Sequence, residues 1–216
     1  MKFINKKQFS LLELLCVIAI AAILMAMILP AFFNITKGQS VQMAAMEVGS
    51  KLKAVRTYAI SQRQYVALVF ITSETTMNND RYCYKSYRPC VVNSSNVFQS
   101  WVPDEKWDIL PTGVIVQDII AETDIGYYPS GYKNGLFSGA TTVDTSSNSD
   151  VAVFSSSGQT FKGISFKPTG DLSGDTKFVR VGEGTNPTST ATMKNTANYA
   201  IIKIDQYTGR ISYGTQ

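Results

Sequence analysis

The chain has 216 residues, 44% of them hydrophobic, with 20 basic against 16 acidic side chains and a formal charge of +4. It contains no histidine, which removes Ser/His and Cys/His catalytic pairs and the imidazole ligands of most metal sites together. Lys2, Lys6 and Lys7 carry most of the excess charge; the remaining 17 basic residues face 16 acidic ones, so the body makes no electrostatic case for binding nucleic acid.

In chain order, the first element is an apolar run. Every residue from Leu14 to Leu29 is apolar, and Phe9, Leu11 and Leu12 extend the run past Ser10 and Glu13. At about 1.5 Å per residue, residues 9–30 predict a helix long enough to cross a hydrocarbon core of about 30 Å. The three preceding lysines favour a cytoplasmic N-terminus with the rest of the chain exported. A cleaved secretory signal fits less well. Its apolar core is usually about 7–15 residues long and ends at a small-x-small site, whereas this run is longer, holds an acid and passes into Pro30. Glu13 is the unusual residue, because an ionised carboxylate inside such a segment costs about 2.5 kcal/mol or more and persists where it has a partner.

Pro30 is expected to kink the helix rather than end it, since helical periodicity resumes beyond it. Residues 31–63 form the second part of the helix. Val41, Ala45, Val48, Leu52, Val55 and Ala59 recur at alternating spacings of four and three, an apolar stripe that needs an apolar surface to pack on. The period then changes. Strands are predicted at 65–71, 81–87, 91–92, 114–116, 151–154, 163–166, 178–181, 199–204 and 211–213, separated by turn signals such as Asn78-Asn79-Asp80 and Pro168-Thr169-Gly170-Asp171. One helix followed by many strands predicts an α+β fold, the helix packed on an antiparallel sheet domain at 64–216. Residues 121–159 are poor in large apolar side chains and read as a long loop excursion, and 182–198 as a hairpin loop.

The N-terminal stretch, Lys7-Gln8-Phe9-Ser10-Leu11-Leu12-Glu13-Leu14-Leu15 followed by VIAIAAILMAMILPAF, resembles the signature of type IV pilins and type II secretion pseudopilins. The passage MAAMEVGSKLKAVRTYAISQRQYVALVF, with Leu52, Arg56, Ala59 and Ile60 at an LxxxRxxAI-like helix end, is similar to that of pseudopilin H and FimT-type minor pilins. So are WDILPTGVIV, GISFKPTGDLSG and YAIIKIDQYTGRISYG, in the same order. The resemblance implies a pilin-like fold and a subunit of a type II secretion or type IV pilus-type filament, held in the inner membrane by one pass. It implies a leader at 1–8, cut by prepilin peptidase between Gln8 and Phe9, and N-methylation of Phe9. Glutamine stands at Gln8 where the family has glycine. Glu13 would then meet the Phe9 amine of a neighbouring subunit and register one subunit against the next, a well-attested use of buried polar pairs. The partners implied are other pilin or pseudopilin subunits, the peptidase and the membrane. A binding module at a filament tip, recognising DNA, a surface or a secreted substrate through loops such as 121–159, is the alternative.

No enzyme is expected, and no cofactor or metal. No Walker loop, dinucleotide fingerprint or HExxH is present. Asp104 and Glu105 are expected on extended chain, pointing to opposite faces. Asp171 and Asp175 are read as a hairpin turn rather than a Ca²⁺ loop. Cys83 and Cys90 lie in a part read as exported, where they either close a short disulfide loop or stay reduced in the core. Nucleic acid is an unexpected partner. The family feature tied to DNA is a second cation after Gly-Arg, and here Gly209-Arg210-Ile211 is followed by Ser212, leaving Arg210 alone. Tyr82, Tyr84, Tyr87, Trp101 and Trp107 are expected to pack on the sheet, with Tyr82 and Tyr84 alternating on one strand.

Overall fold

The helical periodicity of residues 11–62 is realised as one helix, α1 (Leu11–Gln62). The structure, a computed structural model, describes residues 11–72, 82–121, 140–144, 160–185, 192–193 and 198–215. The chain divides into two units, 1–39 and 40–216. Pro30 falls inside the bounds of α1. Among the described residues, the second unit contains the last part of α1 and eleven strands, and its architecture is α+β.

The apolar stripe of α1 is the floor of the core. Val41, Ala45, Val48, Leu52, Val55 and Ala59 are all buried, joined by Ala44. Two antiparallel sheets cover it. The first has the order β3 (Phe98–Trp101), β2 (Ser86–Val92), β1 (Tyr65–Phe70), β7 (Thr160–Phe166) and β6 (Thr141–Asp144), with β4 (Asp108–Ile109) also paired to β2. The second runs β11 (Ile211–Thr215), β10 (Tyr199–Ile204), β8 (Lys177–Thr185), β5 (Val114–Ala121), with β9 (Thr192–Met193) paired to β8.

β1 is the central strand of the first sheet and is buried on both faces, which is why its sequence is continuously apolar instead of alternating. One face looks toward α1: Phe70 stands opposite Tyr87, whose hydroxyl donates to Glu47 Oε1 at 2.8 Å. On the other face Ala67 and Val69 stand opposite Cys90 and Arg88. That face is covered by Phe98, Trp101, Trp107 and Phe161, whose rings meet edge-on or tilted, with centroids 4.9 to 6.3 Å apart. The Arg88 guanidinium lies 4.3 Å from the centroid of the Trp101 ring. The sheet curls around this second core until its ends meet: Val97 bridges Asp144 in parallel, and the Asp144 N–H donates to Asn96 O at 3.2 Å.

Several expected strands shift, each for a local reason. Residues 82–85 form a turn, closed by Lys85 N–H to Tyr82 O at 3.2 Å, and Tyr84 has φ 61, which no strand tolerates. Tyr82 and Tyr84 therefore do not alternate on a strand, although Tyr84 is buried and Tyr82, Trp101 and Trp107 pack against the core as expected. β5 runs five residues beyond Val116 because a bulge between Val116 and Asp118 absorbs the polar pair Gln117 and Asp118. Asp104, with φ 63, turns the chain after β3 rather than extending it. The 121–159 stretch is not wholly loop, since β6 lies in it, pairs with β7 and buries Val143. The strand expected at 151–154 lies outside the described residues. β8 and β10 are hairpin-paired across 182–198, as expected.

Leu52 has no exposed area and occupies the middle of the stripe. Leu52→Ala is expected to destabilise the folded chain by about 2–5 kcal/mol in urea unfolding followed by tryptophan fluorescence. Ser50→Ala, on the exposed side of the same helix, is expected to stay within about 0.5 kcal/mol of the parent.

Candidate functional site

The candidate site is the N-terminal part of α1. Leu11, Leu12, Leu14, Leu15, Val17, Ile18, Ile20, Ile23, Leu24, Met25 and Ile28 are between 55% and 83% exposed, all around the helix. A helix apolar on every side is stable only inside a protein interior, an assembly or a membrane. Among the described residues, no helix is long and apolar enough to cross a membrane.

Glu13 sits in the first turn of α1, exposed. Gln8 and Phe9 lie outside the described residues. The side chain of Pro30 is likewise outside them.

The remaining candidate residues lie apart from this helix segment in sequence and serve local structure. Cys83 and Cys90 are not joined, which corrects the disulfide reading. Strand β1 measures their separation: Cys90 stands opposite Ala67, while Cys83 Sγ lies 3.8 Å from Thr72 O, five positions further along. At about 3.3 Å per residue that is roughly 16 Å, more than twice the Cα separation a disulfide spans. Both thiols are buried, and burial pushes the Cys90 thiol well above its ordinary range. Arg210 is exposed in the turn between β10 and β11. Its N–H donates to Thr208 Oγ1 at 3.2 Å, and its carbonyl accepts from Asp205 N–H at 3.0 Å. Asp205 caps that turn by accepting from Thr208 N–H and Oγ1 at 2.9 and 2.7 Å, which holds its carboxyl below the usual carboxylate range.

Sequence reading missed the polar clamp that fixes the helix to the strands. Besides the Glu47–Tyr87 bond, Lys51 pairs with Glu105 and, at 2.8 Å, with Asp108, and Arg56 Nε donates to Gly170 O at 3.0 Å. Burial and the Glu47 carboxylate together push the Tyr87 hydroxyl far up. The signal available in sequence was the placement of Glu47, Lys51 and Arg56 beside the stripe rather than opposite it; their partners are 40 to 114 residues away.

The 167–171 turn is closed from within. Lys167 pairs with Asp171 at 2.7 Å, and Thr169 donates to the same carboxylate. Among the described residues no cluster of acids or cysteines forms a metal site.

No family model matches the sequence, and no curated protein matches it. Solved structures similar to this chain are two of the minor pseudopilin EpsH from the type 2 secretion system of Vibrio cholerae. They are 12% and 11% identical, cover 82% and 83% of this chain and 96% and 98% of their own, and have a TM-score of 0.45. The type IV minor pilin FimU of Pseudomonas aeruginosa is similar at 16% identity, over 83% of this chain and 92% of its own, with a TM-score of 0.35.

Partial burial pushes the Asp171 carboxyl up, but the hydrogen bonds from Lys167 and Thr169 and the lysine charge outweigh it, and its pKa lies below the ordinary 3.8. A depressed folded value adds stability above the unfolded value, and this is lost as pH falls through the folded one. Asp171→Asn is therefore expected to cost under about 1 kcal/mol at pH 7, since the pair is partly solvated. Thermal melts of parent and variant should converge as the pH falls below 3.8.

Proposed function

We propose that the chain is a pilin-like structural subunit, a pseudopilin or minor pilin, of a type II secretion or type IV pilus-type filament. Its N-terminal helix anchors it in the inner membrane as a single pass, N-terminus inside, and becomes a packing element when the subunit leaves the bilayer. Prepilin peptidase cuts between Gln8 and Phe9, and the new amine is methylated. The exported domain bears on neighbouring subunits, and its role is mechanical rather than catalytic. The observation that carries this reading is the helix segment 11–28, apolar and exposed on every side, with one acid, Glu13, in its first turn. The motif around Phe9 and Glu13 supports it, as does a helix that continues as an amphipathic element packed on antiparallel sheets.

Glu13 then has a stated task. Buried among apolar side chains of a filament core, its carboxylate needs a cation, and the Phe9 amine of the adjacent subunit supplies it. Intact mass and N-terminal sequencing of protein extracted from membranes are expected to show a chain starting at methylated Phe9; a start beyond residue 30 would overturn the reading. Glu13→Leu is expected to leave membrane insertion intact while removing the subunit from sheared filaments or pseudopili. Normal incorporation of that variant would sink the role given to Glu13.

A further inference from the structure

The two sheets end differently. The first closes on itself through Val97 and Asp144. In the second, β11 is the outermost strand, and among the described residues no strand pairs with its far side. The hairpin fixes which groups point there. Asp205 N–H donates to Arg210 O, and the register continues through Ile204–Ile211, Lys203–Ser212, Ile202–Tyr213 and Ile201–Gly214. Antiparallel pairs alternate between bonded and non-bonded. Ser212 and Gly214 therefore turn their N–H and C=O toward β10, and Ile211, Tyr213 and Thr215 turn theirs outward.

Sheet edges are ordinarily blunted by charge, proline or a bulge. The sequence of β11, ISYGT, has no charge and no proline, and its register with β10 is unbroken. Ser212, Tyr213 and Gly214 are exposed. The helix lies alongside. Gly209 sits against Arg56 and Tyr213 against Gly49, where any β-carbon would collide with the ring, so β11 runs antiparallel to α1. Its C-terminal end heads toward Met46 and Met43, which are 59% and 67% exposed. Lys53 Nζ stands 5.2 Å from the centroid of the Tyr213 ring.

We propose that the outer edge of β11 is a β-augmentation site that takes an extended segment of a partner protein, apolar where it passes Met46 and Met43 and acidic opposite Lys53. A row of outward N–H and C=O groups is matched along its length by another extended strand, and the alternate side chains of that strand supply specificity. The occupant is a different protein rather than a second copy. Antiparallel pairing of β11 with itself about Tyr213 would bring two Lys53 cations to the same seam, with no acid on β11 to meet them.

The test uses the full chain in detergent micelles and a synthetic heptapeptide of alternating threonine and valine with a central glutamate. Binding is read by fluorescence anisotropy, and the site by amide hydrogen exchange. Slowed exchange at Ile211 and Tyr213 is expected, with affinity weakened about tenfold or more by Lys53→Glu in the chain or by lysine in place of the peptide glutamate. Lys53 is exposed on α1, so the variant is expected to fold. Thr215→Pro, which removes one outward N–H without touching the β10 ladder, gives an independent loss of affinity. Failure of the peptide to bind, or equal binding by a proline-containing version, would overturn the proposal. So would protection of the same amides without peptide in a self-associated chain, which would assign the edge to a second copy.

Discussion

The apolar stripe from Val41 to Ala59 is the constraint on which the domain depends. Seven residues of α1, counting Ala44, have almost no exposed area, and a helix can hide such a face only against a surface of matching length. Two short sheets supply it jointly. Polar contacts then fix rotation and register: Glu47 to Tyr87 on the first sheet, Lys51 to the acids at 105 and 108, and Arg56 to the turn at Gly170. Burial provides most of the stability. The clamp restricts which of many similar apolar packings is adopted, because a misplaced helix would strand partly buried charges.

That arrangement leaves the first sheet with a problem on its other side. Ala67, Val69 and Cys90 are fully buried there, yet the helix lies on the opposite face. The chain solves it by curling the sheet over an aromatic cluster built from β3, β7 and the segment around Trp107, and by joining the two ends at Val97 and Asp144. One consequence is that Cys83 and Cys90, only seven positions apart in sequence, belong to different places along β1. Another is that the exposed strand edge falls to β11 in the second sheet.

The two parts of α1 differ in pattern. Residues 41–59 show the one-sided pattern of a helix half in a protein core, and their polar neighbours either face water or join the clamp. Residues 11–28 have no polar side beyond Glu13.

The stripe of α1, the identity of β1 and β10, the hairpin linking β8 to β10 and the α+β class were determined by the sequence itself, because each depends on periodicity or on turn residues close in the chain. The same holds for the apolar character of 11–28 and the singularity of Glu13. Only the tertiary structure decided the rest. Strands such as β4 and β6 are only two and four residues long and exist because β2 and β7 offer backbone partners. The extension of β5 needed a bulge, and the turn at 82–85 needed Tyr84 in a left-handed conformation, neither written in hydrophobic pattern. The separation of Cys83 from Cys90, the partners of Glu47, Lys51 and Arg56, and the outward backbone of β11 rest on contacts between residues far apart in sequence. Such contacts are set by how sheets pack on a helix, and local sequence does not encode that packing.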